Sequence, residues 1–181
     1  MKCDIFDFDG TLIKGDSIKL FAKWISKSYL EFLILFYGFH FLYINSKTKK
    51  FKRAKFFSFL MKKRKKNIKN FFEILNNHLF DDSLFLINNS KNLKIIISAS
   101  FFEIIGEYCR DILKVNLISN SYDDTDDINY INKVIALKKR FGNKVEIINA
   151  YGNSMGDFDI LRLAKNSFYR KKNGVLVLWE E

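Results

Sequence analysis

Four apolar runs punctuate the chain, and each gives way to polar residues at its C-terminal end. The run from Cys3 to Phe8 predicts a buried strand that meets Asp7 and Asp9, two positions apart and therefore on one side of an extended segment. Leu93 to Ile97, with three consecutive isoleucines, predicts a fully buried strand ending in Ser98-Ala99-Ser100. Val115 to Ser119 is a third, and Val145 to Tyr151 a fourth that runs into Gly152-Asn153-Ser154-Met155-Gly156-Asp157. Helical spacing lies between them. Gly15-Asp16-Ser17 starts a helix with stripe Ile18, Phe21, Ala22 and Ile25, and another carries Ile68, Phe71, Phe72, Leu75 and Leu79. The capping-box pattern Ser100-Phe101-Phe102-Glu103 predicts a helix beginning at Ser100, and Ile131, Val134 and Ile135 mark one that ends near Phe141-Gly142. A helix with Ile160, Leu161 and Leu163 follows Asp157. Asn173-Gly174 predicts a hairpin between Ser167–Arg170 and Val175–Trp179.

Tyr29 to Ile44 is almost continuously apolar apart from Glu31 and His40, and the expectation is a buried helix. It falls short of the roughly 20 residues that cross a bilayer. Lys47 to Lys66 then carries eleven Lys and Arg residues around Phe56, Phe57 and Phe59, the pattern of a solvated basic face or, alternatively, of a contact with an anionic membrane surface. A formal net charge of +11 favours anionic partners, phosphate esters among them. No nucleic-acid-binding module is recognisable, so nucleic acid is not the expected partner. Cys3 and Cys109 read as small core residues. His40 and His78 lack Cys or carboxylate neighbours at ligand spacing. Asp123, Asp124, Asp126 and Asp127 lack the Gly and terminal Glu of an EF-hand and read as a solvated loop.

Two acids at the end of a core strand either turn the chain before Gly10-Thr11 or hold a divalent cation that gathers a phosphate, since hard oxygen ligands suit magnesium. Asp7-Phe8-Asp9-Gly10-Thr11-Leu12 resembles the first motif of the haloacid dehalogenase superfamily of phosphohydrolases. Ser98 at its strand end resembles the second motif, Asn132-Lys133-Val134-Ile135-Ala136-Leu137 the third, and Gly152 to Asp157 the fourth, in the family's order. Asn153 stands where the fourth motif's first acid is usual, a departure that removes a charge.

The resemblance implies an α/β fold: a Rossmann-like parallel sheet core from residues 1–16 and 83–181, with an inserted α-helical cap over 17–82 and a C-terminal β-hairpin. It implies a magnesium-dependent phosphomonoester hydrolase, most like the phosphoserine-phosphatase-like subclass. Asp7 is the nucleophile and Asp9 the general acid and base. Ser98 and Lys133 contact the phosphoryl group. Gly10, Thr11 and Ala99 join them in binding substrate, and Asp7, Asp9, Asn153 and Asp157 hold Mg2+. The expected substrate is a small phosphorylated metabolite, with a lipid phosphate as the alternative. A different class of function is a weakened module that holds a membrane surface or polyanion through its basic cap, and Asn153 motivates it. The chain enters a strand directly after Met1-Lys2, without the pattern of a secretory leader, so the expected location is cytoplasmic, with membrane association as the alternative.

Overall fold

A computed structural model of the chain describes residues 1–38, 59–120 and 128–180. Its strands are β1 (Lys2–Phe6), β2 (Leu93–Phe101), β3 (Asn116–Asn120), β4 (Glu146–Gly152), β5 (Asn166–Arg170) and β6 (Leu176–Leu178). They form one six-stranded sheet in the order β3-β2-β1-β4-β5-β6, parallel throughout except for β6. The α/β Rossmann-like core with its C-terminal hairpin is therefore as the sequence implies. Gly174, with φ of +86°, makes the turn that brings β6 back along β5. The strand order reverses between β1 and β4, and in open parallel sheets that reversal opens a crevice beyond the strands' C-terminal ends.

Side-chain alternation divides the core between the two faces. Cys3 and Ile5 of β1 join Ile95 and Ile97 of β2 on one face, under Val134, Leu137, Ile160 and Leu161. Phe6 and Ile96 point to the other, with Phe21, Ile25, Phe71, Leu75, Ile104 and Ile105. Helices cover both. Between β1 and β2 come α1 (Ser17–Ile25), α2 (Tyr29–Leu33) with a π-helical turn at Ile34–Gly38, a helical stretch at 59–63, α3 (Lys69–Asn77) and α4 (Ser83–Asn89). Beyond β2 lie α5 (Phe102–Tyr108), α6 (Ile131–Phe141) and the short α7 (Phe158–Leu161). Asp16 caps α1 by accepting from the Lys19 amide at 2.8 Å. Both cysteines are buried and free.

Local pattern and packing disagree in four places. The helix expected from Tyr29 is not buried all round: Phe32 and Leu35 face inward, while Tyr29, Leu30, Ile34 and Tyr37 are exposed. Ser100 does not start a helix. β2 runs on to Phe101, its register with β3 shifting after Ser98, and α5 begins without a side-chain cap because the Ser100 hydroxyl is drawn to Asp9. Along α6, Ile131 and Ile135 are exposed while Lys133, Val134 and Leu137 are buried, so the helix is turned to present its lysine to the sheet. The last helix stops at Leu161 and leaves Leu163 exposed. His40, the basic residues from Lys47 to Lys55, Phe56, Phe57 and the acidic run Asp123 to Asp127 lie outside the described residues.

Candidate active site

Asp7 continues β1 by one residue, its amide donating to the Tyr151 carbonyl of β4 at 2.9 Å. The chain then turns sharply. The buried Phe8 carbonyl accepts from the Leu12 and Ile13 amides at 2.9 and 3.1 Å, which swings Asp9 and Gly10 over the sheet's C-terminal edge. Gly10 has φ of +74°, and a Cβ there would stand 2.1 Å from Asn153 Nδ2, so only glycine lets the loops after β1 and β4 come this close.

Lys133, 3% exposed, reaches into this crevice from α6 and donates to Asp7 Oδ1 at 2.7 Å and to Asp157 Oδ1 at 2.5 Å. The second Asp157 oxygen accepts from the Asn153 and Ser154 amides at 3.1 and 3.0 Å and from the Ser154 hydroxyl at 2.9 Å. Burial alone works against the lysine's charge, but the two carboxylates outweigh it and hold its pKa above the usual value. Asp7 is pushed up to about 6 by burial and then by the Asp157 charge, with Lys133 and Thr11 acting in the opposite sense.

Asp9 has different company. Its carboxylate accepts from the Ser17 amide at 2.7 Å, the Ser17 hydroxyl at 3.1 Å and the Ser100 hydroxyl, and the two hydroxyls lie 2.5 Å apart. Burial, followed by the nearby Asp16 charge, raises its pKa to about 7, against the bonds from Ser100 and Ser17. One acid lies beside a cation and the other among hydroxyls, and different surroundings are how two like groups take different tasks.

A cavity of about 530 Å³ opens over these groups, lined by Asp7, Asp9, Ser98, Lys133, Asn153 and Lys19, with Gly10 and Ala99 also on its wall. The segments after β1, β2 and β4 therefore converge, joined by Lys133 of α6. Thr11 stands behind the wall, its hydroxyl 3.1 Å from Asp7 Oδ2 and 3.3 Å from Asn153 Oδ1. Ser98 accepts from the Ser100 amide at 3.1 Å. Sequence reasoning passed over Ser17 and Ser100, and Lys19 and Asn129 of the cavity wall. Only Ser100 carried a signal, since period-two alternation places it on the same side as Ser98.

The donor set can be tested against magnesium. Asp7 Oδ2 and Asn153 Oδ1 meet at one hydroxyl, so two hard oxygens converge, whereas both Asp157 oxygens are taken by Lys133 and by the loop. Among the described residues, no three His, Cys, Asp or Glu side chains are grouped to hold a metal. One carboxylate oxygen with an amide oxygen still fits Mg2+, which keeps several waters and shares its coordination with substrate phosphate.

Sheet order, crevice and convergent motifs define a haloacid-dehalogenase-like fold of the phosphoserine-phosphatase-like type. No family model matches the chain, and no curated protein matches it. Solved structures do. The chain is similar to a protein with unknown function from Bordetella pertussis Tohama I, at TM-score 0.71 and 15% identity over 92% of this chain and 88% of that one. It is also similar to a phosphoserine phosphohydrolase-like protein from Francisella tularensis subsp. tularensis SCHU S4, at TM-score 0.54 and 22% identity over 92% and 86%. A phosphoserine phosphatase solved as a phospho-aspartyl intermediate analogue matches at TM-score 0.51 and 15% identity over 92% and 84%.

Proposed function

We propose that the protein is a magnesium-dependent phosphomonoester hydrolase that works through an aspartyl-phosphate intermediate. The carrying observation is the buried Lys133 ammonium bound to Asp7, with Asp9 held separately by two hydroxyls on the wall of the same cavity. The fold shared with phosphoserine phosphatases supports the same reading.

An Asp7 carboxylate oxygen attacks phosphorus as the ester P–O bond breaks. Asp9, whose proton affinity suits an acid at neutral pH, gives its proton to the leaving alkoxide oxygen. Asp9 then takes a proton from water as that water attacks the acyl phosphate, releasing inorganic phosphate and restoring Asp7. Lys133 and the Ser98 hydroxyl stabilise charge on the equatorial oxygens. Asp7, the Asp9 carbonyl and Asn153 would hold Mg2+, which supplies neutralisation of the phosphate dianion; Asp157 would join them only by giving up a bond to Lys133 or to its own loop. Thr11 and Gly10 keep the two loops in register, and Ala99 borders the phosphate.

The test is turnover of phenyl phosphate with and without added magnesium. Asp7→Asn is expected to abolish it while circular dichroism stays as in the parent, and unchanged magnesium-dependent turnover in that variant would remove the proposed nucleophile.

The substrate is a small phosphorylated metabolite on this reading. A lipid phosphate is favoured by one observation: Tyr29, Leu30, Ile34, Tyr37 and Phe59 are exposed on elements that also expose Lys62 and Lys63, with Lys27 exposed just before α2. No helix among the described residues is long and apolar enough to cross a membrane, so such contact would be peripheral. Sedimentation with vesicles of graded anionic lipid content decides it. Binding indifferent to lipid charge and to salt would count against the lipid version.

A further inference from the structure

A second cavity, of about 390 Å³, shares Gly10, Gly15 and Asn153 with the first, so the two are neighbours across a common wall. Its far side is basic, built from Lys14, Lys171, Lys172 and the edge of Arg170. Arg170 is buried and fully engaged. It donates from Nε to the Thr11 carbonyl at 2.8 Å and from Nη1 to the Gly174 carbonyl at 2.9 Å, pairs with Asp82 at 2.7 Å, and lies 4.3 Å over the Phe80 ring. Those bonds pin the β5–β6 turn against the loop that carries Asp7 and Asp9. Among the described residues no carboxylate lies within ion-pair distance of Lys171 or Lys172, and Lys14 meets only the fully exposed Asp81 at 3.5 Å.

From this arrangement we infer that the second cavity receives a second anionic group on the substrate, a phosphate or carboxylate carried by the leaving-group portion. The inference rests on the hydrolase reading and narrows it to phosphomonoesters that bear another anion. Three exposed lysines beside the crevice, on two segments that the buried Arg170 ties together, are where such a group gains from Coulomb attraction without reaching Asp7. An aryl ester whose phosphate is its one anionic group fills only the first cavity and leaves the second to water.

The experiment compares kcat/KM for an alkanediol bisphosphate with that for phenyl phosphate, in the parent and in Lys171→Ala/Lys172→Ala. The ratio is expected to fall about tenfold in the double variant, the product of two partly exposed ion pairs. It should fall further in Lys171→Glu/Lys172→Glu and shrink with added salt in the parent. An unchanged ratio overturns the inference. Calorimetric binding of the bisphosphate in the Asp7→Asn background, with and without the two lysines, reads the same subsite without turnover, and about a tenfold loss is expected. Parent protein that turns over neither phenyl phosphate nor the bisphosphate would defeat the hydrolase reading while this binding arm still decides the anion site. Equal bisphosphate affinity with and without the lysines would defeat the subsite alone.

Discussion

Replacing Lys133 with methionine keeps most of the side chain's volume and deletes its charge, which makes it a direct probe of how the buried acids are held. Asp7 Oδ1 and Asp157 Oδ1 lie 2.7 and 2.5 Å from the same nitrogen, so without it two carboxylates face each other across at most about 5 Å. At an effective dielectric of about 20 their repulsion is about 3 kcal/mol, and breaking one partner of a buried pair ordinarily costs about 3–5 kcal/mol. The folded protein can escape part of this by taking up a proton. Asp7 already sits near 6 in the parent, above its ordinary 3.8, and loss of the lysine pushes it higher still. A raised carboxylate pKa means that the folded chain binds protons the unfolded chain has released, so stability falls as pH rises from about 4 through the folded value. Urea denaturation of magnesium-free protein is the assay. At about pH 8 the variant should lose about 3 kcal/mol relative to the parent, and at about pH 4 clearly less, because Asp7 is then protonated and the repulsion is gone. A loss of the same size at both pH values would show that packing, not charge, was removed, and no loss at either would refute the buried ion pair itself.

Asp9→Asn removes a charge that burial disfavours. Magnesium-free Asp9→Asn should therefore melt higher than the parent at about pH 8, with the gain fading toward about pH 4, since the parent's penalty grows only as pH climbs from the ordinary carboxylate value through about 7. Turnover of phenyl phosphate should drop by about 10² to 10⁴ in the same variant, and a parent-like rate would deny Asp9 the acid role. Asn153→Asp adds the second carboxylate to a pair of converging oxygens at no change of shape. It should tighten magnesium binding by about tenfold, read as a larger magnesium-induced rise in melting temperature, while lowering stability without the ion. Robust magnesium-dependent turnover in the unaltered chain would at the same time dispose of the weakened-module alternative.

Local signals in the chain were enough for the sheet and for the residues that head its strands. Asp7 and Asp9 lie two apart after an apolar run, Ser98 ends three isoleucines, and Asn173-Gly174 turns a hairpin; each is a statement about neighbours in sequence. What escaped was decided by partners far away. Ser100 followed a sound capping pattern, yet its hydroxyl serves Asp9, 91 residues back, and β2 extends to deliver it. The apolar spacing of α6 favours Ile131, Val134 and Ile135 as the inner face, but the carboxylates that follow β1 and β4 attract Lys133 strongly enough to turn the helix so that of the three only Val134 is buried.

Asp4 makes the same point away from the active site. It sits in the middle of β1, 2% exposed, in a run that reads as apolar, and nothing beside it in sequence explains a buried carboxylate there. Its partners come from two other strand approaches: the Ser90 hydroxyl at 2.6 Å, the Asn92 amide group at 2.9 Å, and the Asn149 side chain and backbone at 2.9 and 3.2 Å. The register of β1 against β4 shifts between Cys3 and Asp4, where this network ties the strands. Buried polar groups persist only when their partners are supplied, so each such residue specifies a distant pairing that hydrophobic pattern leaves open. Asp4 does this at the middle of the central strand and Asp7 at its end. The strand that carries the proposed nucleophile is thereby fixed in register by polar contacts on both counts, and the crevice between β1 and β4 inherits its geometry from them.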